Sequence, residues 1–321
     1  MDNEIEEKGQ IDIFEEEDIG IEEQSPQNEV YFERGIKLPL GMALSDEGLY
    51  QLSSREKIDL ICIMGPVGSG KTTFEAMLYS LFLRQVNEEI IFSGSDTIAG
   101  FEGLLNHIRV NSGKSNVDMP RTPKESREQY YHLKLYVNSL NEKRNIVFAD
   151  VSGELFDLCK ANRENLDMYV QHLTISKNIV IFIDGEDTLN SASWNVAIMN
   201  TKHMLMTIKS SKQYKPGMNI DIVISKNDRI VEKSDDERVK KKIQFIDSYF
   251  ESLKKDFKIN FFRIQALNDY KQIDTSSTSL TELLKYWLIE KNDIRDQKTD
   301  QCRELHVTSC FNKFMERQSY E

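Results

Sequence analysis

The chain has 321 residues, 39% of them hydrophobic, and a formal net charge of −12. That content can fill a sizeable core, and the shortage of basic residues argues against nucleic-acid binding through a broad positive face. The N-terminus is acidic and no apolar run nears the length of a membrane span, so neither a signal peptide nor a membrane anchor is expected, and a cytoplasmic location is. Cys62, Cys159, Cys302 and Cys310 show no metal-ligand spacing and read as free thiols of a reducing compartment.

Residues 1–30 carry twelve acidic side chains against Lys8 alone. Such a segment cannot bury a core, which predicts a disordered acidic tail over 1–34. Ile11, Ile13, Phe14, Ile19 and Ile21 interleave with the carboxylates, so the tail reads either as a solvating element or as a docking segment for a protein partner. Globular composition follows over 35–291. Apolar runs predict strands at 58–64, 90–92, 130–137, 145–150, 178–184, 219–225 and 259–265. Helical patterns fall at 71–84, 97–109, 154–174, 194–210, 236–257 and 279–290, and a helical tail is expected over 292–321. Val239, Ile243, Ile246, Phe250, Leu253 and Phe257 recur at spacings of four and three, one apolar face of a helix. Strands alternating with helices predict an α/β fold of three layers, a mostly parallel sheet with helices on both faces. Only "NSLNEKRN" separates the runs at 130–137 and 145–150. That gap is too short for a crossover helix, so one strand should pair antiparallel in a hairpin.

"IDLICIMGPVGSGKTTFEAML" passes from the first strand through a glycine-rich loop into a helix. It fits G-x-x-x-x-G-K-[ST] with Gly65, Gly70, Lys71 and Thr72 at the fixed positions. The loop from Val67 through Gly68, Ser69 and Gly70 to Thr72 and Thr73 can turn successive N–H groups onto phosphates. Lys71 would reach the outer phosphates and the Thr72 hydroxyl would ligate Mg2+. Three further motifs then discriminate among users of such a loop. In "NIVFADVSGELFDL", Asp150 ends a strand and Gly153 follows; a carboxylate there can hold Mg2+ through water and a glycine N–H can reach a γ-phosphate. "IDIVISKNDRI" sets Lys226 and Asp228 after another strand, where the carboxylate can accept two hydrogen bonds from guanine and none that adenine offers. "FFRIQALND" closes the last strand at Ala266, whose N–H can meet the guanine O6.

From residue 58 to about 290 the chain resembles a Ras-like, translation-factor-class P-loop GTPase, on the P-loop, on "DVSG" for D-x-x-G and on "SKND" for [NT]-K-x-D. The resemblance implies GTP and GDP as ligands with Mg2+. It also implies a switch threonine before the hairpin, for which "MPRTPKESREQYYHLKLYV" supplies Thr122. Thr72, Thr122 and Asp150 would then complete the metal site, Gly153 would sense the γ-phosphate, and Lys226, Asp228 and Ala266 would read the base. The insertion between Lys71 and Thr122, the "SGE" after Asp150 and the "GPVGSGKTT" loop also resemble bacterial GTPases of conflict or anti-phage systems, sometimes called double-GTPase domains. Several positions depart from the Ras-like pattern. Val67 stands where Gly is usual and Glu154 where hydrolysing members often carry Gln; Ser225 opens the base motif, and Gln265 precedes Ala266. The first two predict slow or partner-assisted hydrolysis rather than loss of binding. Arg121, beside Thr122, reads as an arginine finger in cis or as a solvated loop residue. The expected protein is a GTP-binding switch that slowly hydrolyses GTP, with a nucleotide-bound scaffold as one alternative. An ATP-using enzyme is the other, disfavoured because no acidic pair ends a strand.

Overall fold

The central strands are near-continuous runs of Ile, Val, Leu and Phe, the pattern of a sheet covered on both faces. The computed structural model describes residues 41–83, 89–108, 129–190, 193–266 and 278–290. All of these belong to the second of the chain's two units, Pro39–Glu321; the first, Met1–Leu38, lies outside the described residues. So do the expected acidic tail, Arg121, Thr122 and the tail from 292.

Seven strands form one sheet: β1 (Ile58–Met64), β2 (Ile90–Gly94), β3 (Gln129–Val137), β4 (Glu142–Asp150), β5 (Asn178–Ile183), β6 (Asn219–Ile224) and β7 (Lys258–Arg263). Their order is β2-β3-β4-β1-β5-β6-β7. β3 runs antiparallel to both β2 and β4, and every other pairing is parallel. The predicted hairpin is therefore present, with β3 as the one reversed strand. The chain fills one side of β1 before crossing to the other, so the carboxyl ends of β1, β4, β5 and β6 border the crevice where open α/β sheets hold ligands.

Alternate residues of β1 face opposite layers. Ile61 and Ile63 pack with α2 (Lys71–Leu83), α3 (Ile98–Ile108) and α10 (Thr278–Lys285), whereas Cys62 and Met64 pack with α4 (Gly153–Cys159), α5 (Arg163–Tyr169), α7 (Trp194–Ser210) and α9 (Glu237–Leu253). The predicted face of α9 holds: Val239, Ile246, Phe250 and Leu253 are buried and Ile243 packs beside them. Two expectations need correction. The pattern over 154–174 is not one helix but α4, α5 and a 3₁₀ turn at Gln171–Ile175, because Asn162 caps a new helix through Asn165 N–H at 3.1 Å. A helix not anticipated, α1 (Asp46–Arg55), precedes β1; Ser45 accepts from Gly48 N–H at 3.3 Å, and only Leu49 and Leu52 are buried. Short helices α6 (Gly185–Leu189) and α8 (Asn227–Glu232) were likewise not anticipated.

Asp221, in the middle of β6, is wholly buried and carries a polar network. Its carboxylate accepts from Asn260 Nδ2 at 2.9 Å, from Trp287 Nε1 at 2.9 Å and from Asn178 Nδ2. Trp287 lies in the π turn Tyr286–Glu290 that follows α10, and its ring meets Phe74 of α2 edge-on at 5.9 Å. The C-terminal element is thus pinned to the helix that follows the glycine-rich loop. Asp221→Ala strands three buried donors, and each hydrogen bond to a charged group is worth ~1.5–3 kcal/mol. Chemical denaturation should show a loss of at least ~3 kcal/mol; a loss under ~1 kcal/mol would mean the network does not anchor the fold.

Candidate functional site

Sheet register brings the loop and the first acidic motif together. Asp150 pairs with Ile63, and Val151 N–H donates to the Ile63 carbonyl at 2.9 Å, so β4 ends beside the start of the loop. Gly65, Gly68 and Gly70 take positive φ of 158°, 79° and 87° to shape the turn. Ser69 is buried and donates its hydroxyl to the Pro66 carbonyl at 2.8 Å, closing the loop on itself. Lys71 is the first residue of α2 and is buried; its ammonium donates to the carbonyls of Gly65 at 2.9 Å and Pro66 at 3.3 Å. Burial pushes its pKa down, and Asp150, Glu75 and Glu154 oppose that shift. The Thr72 hydroxyl lies near enough to Asp150 to help hold that carboxyl's pKa down. Thr73 follows in the same turn, half-buried.

Asp150 is buried, and burial raises its pKa from the usual 3.8 to about 6 against the pull of Lys71 and Thr72. Its Oδ1 has no hydrogen-bond partner. An orphaned buried carboxylate oxygen near a threonine hydroxyl offers the kind of oxygen donors a hydrated Mg2+ accepts. Thr72 and Asp150 therefore fit the ion.

Gly153 lies against the tip of the loop. A Cβ there would stand 2.4 Å from Val67 N and 2.7 Å from Val67 Cα, so only glycine permits this approach. Val67 itself is 48% exposed. Glu154 lies half-buried in the first turn of α4, which Ser152 caps by accepting from Leu155 N–H at 3.2 Å.

The second acidic motif stands at the next strand ends. Ser225 N–H donates to Ile183, Ile264 N–H to Ile224 at 2.8 Å, and Asn227 N–H to Ile264 at 3.0 Å. These bonds hold residues 264–266, including the half-buried Ala266, beside the motif at 225–228. Ser225 also abuts the glycine-rich loop, its Cβ 3.5 Å from the position of a Gly70 Cβ. Lys226 adopts left-handed φ 50° and ψ 40°, a conformation a non-glycine residue holds only where its surroundings enforce it. Its ammonium donates to Asp184 Oδ2 at 2.6 Å. The Asp228 side chain is partly exposed, with Arg229 3.8 Å away.

Three residues here were not singled out from sequence. Glu75 is a buried carboxylate inside α2, and the legible signal was a lone acid in the apolar helix "KTTFEAMLYSLFL". Asp184 and Gly185 follow β5; Asp184 holds Lys226, and a Cβ on Gly185 would lie 2.1 Å from the Ser225 carbonyl. Their role is tertiary, and a Asp-Gly pair at a strand end reads locally as a turn. Arg121 and Thr122 lie outside the described residues.

A family model described as Double-GTPase 2 matches residues 59–288. No curated protein matches the chain. Among solved structures, the SRb-GTP/SRX signal recognition particle receptor complex from Chaetomium thermophilum is 15% identical, over 67% of this chain and 93% of that one, with a TM-score of 0.39. The S. cerevisiae Ski7 GTPase-like domain bound to GDP and inorganic phosphate is 18% identical with a TM-score of 0.42, and the same domain bound to GTP is 16% identical at 0.43. Each Ski7 match covers 76% of this chain and 52% of that one, so the chain spans about half of the Ski7 domain's length.

The folded chain holds the Asp150 proton more tightly than an unfolded chain would. The stability this supplies is present below 3.8 and lost as pH rises through about 6. Thermal melts of the nucleotide-free protein should therefore carry a downward contribution across that window, and Asp150→Asn should flatten it. A variant whose pH profile matches its parent's would contradict the assignment.

Proposed function

Because the chain belongs to the double-GTPase 2 family, we propose that it is a guanine-nucleotide switch that binds GTP with Mg2+ and hydrolyses it slowly. The observation that carries this reading is the packing of Gly153 on Val67. A phosphate approaching the Val67 N–H meets Gly153 there, so occupancy of the outer phosphate position is coupled to the segment that starts α4. That coupling is what a nucleotide switch needs.

In this reading the N–H groups of Val67 to Thr73 hold the phosphates. Lys71, now on the Gly65 and Pro66 carbonyls, would turn to the β- and γ-phosphate oxygens, and Thr72 and Asp150 would hold the metal. Mg2+ supplies charge neutralisation at the phosphates when bound. Glu154, at the start of α4, orients the attacking water for in-line displacement, less well than a glutamine because its charge opposes that of the γ-phosphate. Thr122, outside the described residues, would join the metal shell, and the segment after Gly153 would be part of the partner surface that changes.

Base selection falls to Asp228, with Ala266 N–H toward the guanine O6. Lys226 lies along the base with its ammonium fixed by Asp184. Asp184 and Gly185 thereby become supports of the base pocket rather than turn residues.

Competition binding should show GTP and GDP preferred over ATP by roughly tenfold or more, the worth of one hydrogen bond to a charged group. Asp228→Asn should move that preference toward xanthosine nucleotides, and equal affinity of the parent for ATP and GTP would defeat the guanine reading. Single-turnover assays should give a rate on the order of 10⁻⁴ to 10⁻² s⁻¹, with Glu154→Ala changing that rate more than the affinity. Turnover above ~1 s⁻¹ without a partner would mean that another residue positions the water; no turnover at all would make the chain a nucleotide-bound scaffold.

A further inference from the structure

We propose that Glu75 is an additional carboxylate of the Mg2+ site, accepting hydrogen bonds from the ion's water shell on the α2 side. The inference rests on the nucleotide reading above and adds a residue to it.

Glu75 is wholly buried, and neither of its carboxylate oxygens has a hydrogen-bond partner. Other buried acids of the fold are treated differently. Asp221 is bonded by Asn178, Asn260 and Trp287, and the largely buried Asp59 is paired with Lys177 at 2.7 Å. A buried carboxylate left unpaired is strongly unfavourable. A leucine at this point of an apolar helix would pack without that penalty, so core packing does not explain an acid.

Position supplies the explanation. Lys71, Thr72 and Glu75 share one face of α2, at spacings of four and three residues. Burial, and after it the charge of Asp150, pushes the Glu75 carboxyl well above the usual range, and Lys71 opposes that. On the same face of the sheet, burial and then the charges of Glu75 and Asp150 push the Tyr131 hydroxyl's pKa up. Two buried carboxyl groups with orphaned oxygens thus lie in one neighbourhood with a single ammonium, and burial favours their protonated forms until a cation arrives. A divalent cation is the ligand class that fits them. Mg2+ dehydrates reluctantly and binds through one or two carboxylates while keeping several waters. Glu75 sits one helical turn beyond the Thr72 hydroxyl, the place of an acceptor for those waters rather than of a direct ligand. Such outer partners orient the shell and strengthen metal binding.

The test is retention of a fluorescent GDP analogue, mant-GDP, titrated with Mg2+ in the parent, Glu75→Gln and Glu75→Leu. Both variants should need roughly tenfold more Mg2+ for half-maximal retention, the usual effect of losing an outer-shell partner. The nucleotide-free melting temperature of Glu75→Leu should equal or exceed the parent's, because a buried polar group without hydrogen-bond partners has been removed. Variants that keep the parent's Mg2+ requirement would overturn the inference and leave Glu75 a core residue. A parent that retains no mant-GDP at any Mg2+ concentration would overturn the nucleotide reading as well, so the two failures are distinguishable.

Discussion

Lys71 is a cation enclosed in protein, and the ends of the central strands are arranged around its neutralisation. Two loop carbonyls accept its protons at 2.9 and 3.3 Å, and the charges of Asp150, Glu75 and Glu154 favour its protonated form against burial. This constraint reaches far into the fold. It requires the loop to turn its carbonyls inward at Gly65 and Pro66. It requires β4 to end in register with Ile63, so that Asp150 arrives beside the loop. It also places Phe74, on the same helix, against Phe148, Phe182 and Trp287, so the helix that presents Lys71 is clamped from the sheet and from the C-terminal turn.

Under the proposed function, the same arrangement would link binding to conformational change. The lysine is satisfied by backbone oxygens and Gly153 rests on Val67. Both contacts occupy positions that a triphosphate would claim. The base end lies close by as well: a Cβ on Gly70 would come within 3.5 Å of Ser225, and Lys226, in a left-handed conformation, pairs with Asp184. A ligand bridging the two ends would meet elements that already contact each other through the glycine-rich loop.

The strands and most helices were legible in the sequence because a parallel sheet writes itself as uninterrupted apolar runs and α9 as a clean helical stripe. Helix α1 was not, since two buried leucines make too short a stripe to stand out beside the Ser45 cap. The break at Asn162 was hidden because Cys159, Leu166, Val170 and Leu173 continue the apolar pattern across it. Among site residues, Lys71, Thr72, Asp150 and Gly153 were legible from spacing alone, and the structure brings them together. Glu75, Asp184 and Gly185 are set against residues distant in sequence: Asp150 for the first, Lys226 and Ser225 for the others. Only a fold that places α2 beside β4, and β5 beside β6, gives them a role.

The central claim is that the loop around Lys71 is built to exchange its own carbonyls for phosphate. A crystal structure with Mg2+ and a non-hydrolysable GTP analogue tests it most directly. The account predicts that the Lys71 ammonium moves off Gly65 and Pro66 onto phosphate oxygens, that Gly153 withdraws from Val67, and that the metal's shell engages Thr72 and Asp150. An analogue bound elsewhere, with Lys71 still on its two carbonyls and Gly153 still against Val67, would contradict it.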